Sequence, residues 1–437
     1  MLKSLTDKTP SQRQMYILAA LGSGIEYYDF CIFIFFTKIL GNLFFSVHDP
    51  LISTLLGYSI LIIGTFGRLF GGILFSHIGD KHGRKSAFLY TILCMTIPSF
   101  IITFLPTYAS IGIFSTILLI FLRLLQGFAV GGEIPGAATL IYENVNSKNK
   151  SLACSVLMAG NLLGLFFASF VQYLLSLFLS NGELNSFGWR IAFFVGGLLG
   201  IIGIFIRKKI RESPVFLNLK NNHKLERRPI LALFKNHFRE TILATFLNSF
   251  ILCFGLIFFS FLPSYLSVHF HYNMSTVLKA NSYALIICVI SIILCGFLTK
   301  KFDKHGMFKL GCFIFLVILF PIFLFFSSGN TTFLFLGYFF GALFSGLVLS
   351  PAYSIINEMF PAQVRFSGFA ISLGIAAIIF GSGGASLCTY VIQKTNFTLF
   401  PAVFMMICCS LSFISIVLYT TRFRVLVTQY NISNQNG

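Results

Sequence analysis

The chain has 437 residues, of which 56% are hydrophobic and only 10% charged. An ordinary soluble domain carries roughly 25% charged residues, so a water-facing globular surface is excluded. The imbalance of 31 Lys and Arg against 13 Asp and Glu would suggest a nucleic-acid surface, but a mean hydropathy of +0.87 points instead to an all-α polytopic membrane protein.

A helical crossing needs roughly 20 apolar residues. Apolar runs punctuated by Gly, Pro and charge predict helices at 15–45, 54–77, 86–106, 109–142, 152–179, 188–206, 240–267, 278–299, 309–327, 331–357, 366–392 and 397–420. The longest polar stretch, 207–239, divides them into an N-terminal half (1–206) and a C-terminal half (240–420), with a short tail at 421–437. Most Lys and Arg fall in the tails, the central stretch and the loops on the same side as these. The positive-inside rule makes that side cytoplasmic, both termini included. The polar start and the lack of a cleavage site make the first run a membrane helix rather than a signal peptide.

In the first helix, Glu26 and Asp29 flank Tyr27 and Tyr28 and are three residues apart, on roughly one face. An acid in a crossing helix costs roughly 2.5–3.5 kcal/mol on insertion scales. It persists if protonated, paired or facing a wet cavity, and the first of these suits a proton-coupling site. The alternative is structural pairing with a basic residue. In the second helix Arg68 precedes Gly71 and Gly72, and could pair with one of these acids or sit in a packed interface.

The next signal is the loop His77-Ile78-Gly79-Asp80-Lys81-His82-Gly83-Arg84-Lys85. Asp80 at the end of one helix and Arg84 at the start of the next both oppose the local dipole. Each therefore needs another partner: a neighbouring helix N-terminus for Asp80, and Glu143 at the end of the fourth helix for Arg84. Topology alone accounts for Lys85. The fourth helix carries Arg123, Gln126 and Glu133 along one stripe, with Gly127, Gly131 and Gly132 leaving room for another backbone or a substrate. Trp189-Arg190 opens the sixth helix. The indole reads as an interface anchor, and Arg190 is an outer-face candidate for attracting substrate.

The second half repeats these features. Asp303-Lys304-His305-Gly306 copies Asp80-Lys81-His82-Gly83, and Glu358 with Arg365 copies Glu143 with Lys150. Parallel repeats of this kind describe alternating-access transporters with a site between the halves. Met307 stands where Arg84 would align, so a gate in the second copy is weaker. No HExxH, P-loop or Cys/His ligand spacing is present, which argues against an enzyme or a metal site.

The loop around Asp80 resembles the signature loop of the major facilitator superfamily. Further segments resemble its metabolite:proton symporters, which include proline/betaine and dicarboxylate transporters: Glu26–Phe30, Arg123–Glu133, Gly188-Trp189-Arg190, Glu212-Ser213-Pro214-x-Phe216, and Glu358-Met359-Phe360-Pro361 through Arg365-Phe366-Ser367-Gly368. The resemblance implies the twelve-helix major facilitator fold. It implies a cavity lined by Glu26, Tyr28, Asp29, Arg123, Gln126 and Glu133. It also implies an inner gate of Asp80, Arg84 and Glu143, to which Lys85, Asp303, Glu358 and Arg365 are added by position. The expectation is a monomer in the bacterial inner membrane that moves a small zwitterionic or carboxylated metabolite, proline or betaine first and a dicarboxylate second. A proton is the coupling ion, no other cofactor is needed and no nucleic acid is bound. Arg123 is the expected cation for the substrate. The tail has no heptad pattern, unlike osmosensing members with a coiled-coil extension.

Overall fold

The computed structural model describes residues 12–45 and 50–435. The N-terminal tail expected to be cytoplasmic therefore lies outside the described residues up to position 11. Among the described residues there are twelve long helices: α1 Gln12–Phe44, α2 Pro50–His82, α3 Arg84–Phe104, α4 Ile113–Asn144, α5 Lys150–Phe178, α6 Trp189–Lys208, α7 Phe238–His269, α8 Met274–Leu298, α9 Lys304–Ser327, α10 Thr331–Met359, α11 Arg365–Thr395 and α12 Phe400–Gln435. Eleven of them, all but α2, are long and apolar enough along their described residues to cross a bilayer; α2 is itself 33 residues long. Among the described residues there is no strand.

Two boundaries depart from the hydropathy reading for physical reasons. Helix α2 does not stop where apolar residues end but continues to His82, carrying Asp80 inside its last turn. Gly83 stops it, with a φ of 126° that a side chain rarely tolerates. The last helix likewise runs past 420 to Gln435. The polar central stretch contains two short helices, Pro214–Asn221 and Pro229–Asn236, each begun by proline in its first turn.

Glycine sets how closely the N-terminal helices approach. A Cβ at Gly24 of α1 would sit 2.6 Å from the Gly160 carbonyl oxygen of α5. One at Gly131 of α4 would overlap the backbone of Arg68 in α2. Gly127 and Gly131 of the fourth helix thus admit a neighbouring backbone, while Gly132 admits the Phe75 side chain. Such small-residue contacts are how membrane helices gain packing without a hydrophobic driving force.

The halves meet along α2–α11 and along α5 with α8 and α10. Phe366 of α11 packs on Gly79 and Gly136, and Leu69 of α2 lies against Gly374. The Ser155 hydroxyl donates to the Ser350 carbonyl at 3.0 Å, and the Thr139 hydroxyl donates to the Asn357 side-chain oxygen at 2.9 Å.

Candidate transport site and gate

Helix α1 delivers Glu26 and Asp29 into two separate buried environments, not one shared cavity wall. Glu26, 1% exposed, lies 2.6 Å from the guanidinium of Arg207. The same Nη2 is 3.4 Å from Glu133 of α4. Arg207 is fully buried. It also donates to the Phe88 carbonyl and to the Thr91 hydroxyl (2.9 Å), and lies 3.5 Å from the Phe88 ring centroid. Sequence reasoning misses Arg207, because it begins the basic run Arg207-Lys208-Lys209 and falls among the charges that set topology.

Asp29 takes a different route. The Ser99 hydroxyl of α3 donates to its carboxylate. Ser99 in turn accepts from Gln126 Nε2 at 2.8 Å, and Gln126 Oε1 accepts from Arg123 Nη1 at 2.9 Å. The other carboxylate oxygen of Asp29 has no hydrogen-bond partner and abuts Gly196 of α6. Arg123 is enclosed: Nη2 donates to the Phe30 carbonyl at 2.9 Å, and the Phe30 and Phe33 rings lie 4.5 and 4.4 Å from its guanidinium carbon. Polar and aromatic partners thus surround the cation expected to meet the substrate.

Arg68 of α2 is arranged differently. It is 9% exposed, forms no ion pair or hydrogen bond among the described residues, and its Nε is an orphaned buried donor. Tyr27 of α1, Glu133 of α4 and Tyr353 of α10 lie within its electrostatic reach. Asn161 of α5, 3% exposed, adjoins the Tyr353 hydroxyl, and neither of its amide atoms has a hydrogen bond of normal geometry. The signal that could have found Asn161 is its place as a lone amide in an apolar run.

Three residues expected in the cavity, at the membrane interface or at the outer face are instead held within the N-terminal half. The Tyr28 hydroxyl donates to the Ala192 carbonyl of α6 at 3.0 Å, which ties α1 to α6. Trp189 is not an interface anchor: it is fully buried, edge-on to Phe44 and Phe193. Arg190 donates to the Thr103 carbonyl at 2.7 Å and stacks on Trp189.

At the charged end of the bundle, Arg84 collects partners from both halves. Its guanidinium lies 3.1 Å from Asp80 and 3.2 Å from Glu143, and donates to the Ala362 carbonyl at 2.6 Å. Glu143 also meets Arg365 at 2.7 Å and accepts from the Ser213 hydroxyl. Asp80 accepts from the Ser367 N–H and hydroxyl at the start of α11. Both partners reasoned from the dipoles are therefore present, and the Ala362, Arg365 and Ser367 contacts cross between halves. Lys85 does something else: its ammonium donates to the Lys208 carbonyl at 3.2 Å. The central stretch joins in through Glu212, which accepts from the N–H groups of Arg84 and Lys85.

The second copy stays within its own half. Asp303 caps α9 by accepting from the Gly306 N–H at 2.8 Å. Against the desolvation that raises it, this bond and His305 hold the Asp303 carboxyl below its usual value. Glu358 pairs with Lys304 and lies 3.5 Å from His305. Met307 is buried in the place of an arginine.

Two helical halves, buried ionisable groups inside one of them and a charge-locked seam between them define a membrane transporter. The chain matches the Major Facilitator Superfamily over residues 15–374, and it belongs to that family. It is 32% identical over 399 residues to the inner membrane metabolite transport protein YhjE of Escherichia coli, covering 89% of each chain. It is 28% identical over 415 residues to the proline/betaine transporter of Escherichia coli, covering 90% of this chain and 81% of that one. The xylose transporter XylE of E. coli, in a partially occluded inward open structure, shares the fold with a TM-score of 0.70 at 15% identity, covering 94% of this chain and 97% of that one.

Proposed function

We propose that this transporter is a proton-coupled symporter of a small carboxylated or zwitterionic metabolite. It works by alternating access in the bacterial inner membrane, with the charged end and both termini in the cytoplasm. One observation carries the reading: two carboxylates, Glu26 and Glu133, share the single buried guanidinium of Arg207. A second acid beside one cation leaves a negative charge that a proton removes, and burial makes that removal worthwhile. We assign the proton to this pair. Asp29 is enclosed by α3 and α6, where its bond to Ser99 suits a structural part. The names of the relatives support a small polar metabolite, with proline and betaine the first to try.

The test is uptake into proteoliposomes of proline, betaine, 2-oxoglutarate and citrate under an inward proton gradient. The expected result is accumulation that an ionophore abolishes. Glu133→Gln should lose accumulation while keeping counterflow exchange, and Asp29→Asn should keep both if it folds. Uptake indifferent to the collapse of the gradient would make the protein a facilitator.

A further inference from the structure

We infer that Arg68, with Asn161 and Tyr353 beside it, binds the carboxylate of the substrate. The inference deepens the function proposed above and rests on that reading for the existence of a substrate.

The buried charges of the N-terminal half single out this arginine. Arg207 is committed to Glu26 and Glu133. Arg123 is filled by Gln126, the Phe30 carbonyl and two phenyl faces. Arg84 is held by Asp80 and Glu143 at the seam. Arg68 has none of these, although it is only 9% exposed and cannot shed its charge. Glu133 lies within its electrostatic reach but forms no ion pair with it. A buried guanidinium without a direct partner is costly, and a ligand carboxylate is its natural complement, because the planar fork matches two oxygens at once.

The surroundings fit that occupant. Asn161 offers a buried amide with no hydrogen bond of normal geometry, next to the hydroxyl that Tyr353, 4% exposed, brings from the opposite half. An anion held by α2 and α5 from one half and by α10 from the other lies where rocking of the halves exposes a site to alternate sides. The charge count also gives a reason for a proton to accompany it. Glu26, Asp29 and Glu133 balance Arg68, Arg123 and Arg207. A substrate carboxylate at Arg68 adds one negative charge, and a proton on the Glu26–Glu133 pair restores neutrality within the membrane.

The experiment is counterflow exchange in proteoliposomes with no proton gradient, so that a failure of coupling does not affect the readout. The probes are proline, betaine, 2-oxoglutarate and citrate, each competed against its amide analogue. The wild type should prefer a carboxylate to its amide by about 100-fold, the order expected when one partner of a buried charge pair is removed. Arg68→Gln should lose that preference and weaken the carboxylate by a similar factor, with Arg68→Lys intermediate. Should Arg68→Gln fail to fold, Arg68→Lys and Asn161→Ala carry the test through loss of substrate-induced thermal stabilisation. Exchange by Arg68→Gln within threefold of wild type, with the preference kept, overturns the proposal. So does a wild type that distinguishes no carboxylate from its amide, or substrate-induced stabilisation unchanged in both reserve variants.

Discussion

The carboxylate of Asp80 accepts two hydrogen bonds from Ser367, at 2.9 Å from the backbone N–H and 2.7 Å from the hydroxyl. One residue ends α2 and the other lies in the first turn of α11, so the contact exists only while the two halves are together at this end. Hydrogen bonds to a charged group contribute roughly 1.5–3 kcal/mol each, which is large against the few kcal/mol separating conformers of a switching protein. Asp80→Asn should therefore loosen the seam. In a background lacking native cysteines, maleimide labelling of Thr139→Cys, which is buried in the wild type, should accelerate about tenfold or more. Unchanged labelling would show that the seam does not depend on this charge.

Glu143 and Arg365 form the second contact between halves, but losing one is not equivalent to losing the other. Glu143→Gln removes one of the two carboxylates that hold the fully buried Arg84, leaving Asp80 alone against it, and breaking a buried pair costs up to about 3–5 kcal/mol. The Arg365 side chain is 15% exposed and its loss leaves Glu143 still paired with Arg84, so Arg365→Gln should cost less than Glu143→Gln. Thermal denaturation of the purified variants distinguishes the two, and equal losses would contradict the ranking.

Arg207→Gln leaves Glu26 and Glu133 facing each other without the cation they share. The expected penalty is again about 3–5 kcal/mol, read as a large drop in melting temperature or yield. Adding Glu133→Gln removes one of the stranded charges, so the double variant should recover part of the loss. Groups that share one network are not additive, and a double variant no better than Arg207→Gln would argue against a shared cation.

The difference between what is legible in the sequence and what is not follows from this geometry. The partners of Asp80 and Arg84 can be reasoned out because a charge set against its own helix dipole announces that it needs another partner. The glycines at 127 and 131 announce a close approach, and the neighbour proves to be backbone. Arg207 cannot be read in the same way. Whether an arginine at the end of a helix points to water or into the bundle depends on the rotation of α6, and linear spacing does not carry that rotation. Trp189 misleads for a related reason: a π-helical segment, Leu184–Gly188, precedes α6, and the indole turns inward onto Phe44. Glu26 and Asp29 share roughly one face by count, yet α1 is surrounded closely enough for two residues three apart to meet different neighbours.

Gly83→Ala tests the join between α2, α3 and the central stretch. The glycine has a φ of 126°, and a Cβ there would overlap the Glu212 carboxylate. Strain of this kind costs about 1–3 kcal/mol. The expected outcome is release of Glu212 from the start of α3 and faster proteolysis within 207–239. Wild-type protection would show that the contact does not hold the segment.

The two copies of the hairpin have come to divide their labour. The first reaches across to α11 through Asp80 and Arg84; the second spends Asp303 on its own helix and Glu358 on Lys304. The charged contacts across this end of the seam therefore come from one copy's Asp80 and Arg84, with Glu143 and Arg365 beside them. Changes at Met307 or His305 are then free to adjust the C-terminal half without touching the lock, and an arginine restored at 307 is a route by which selection could make the same transporter harder to open.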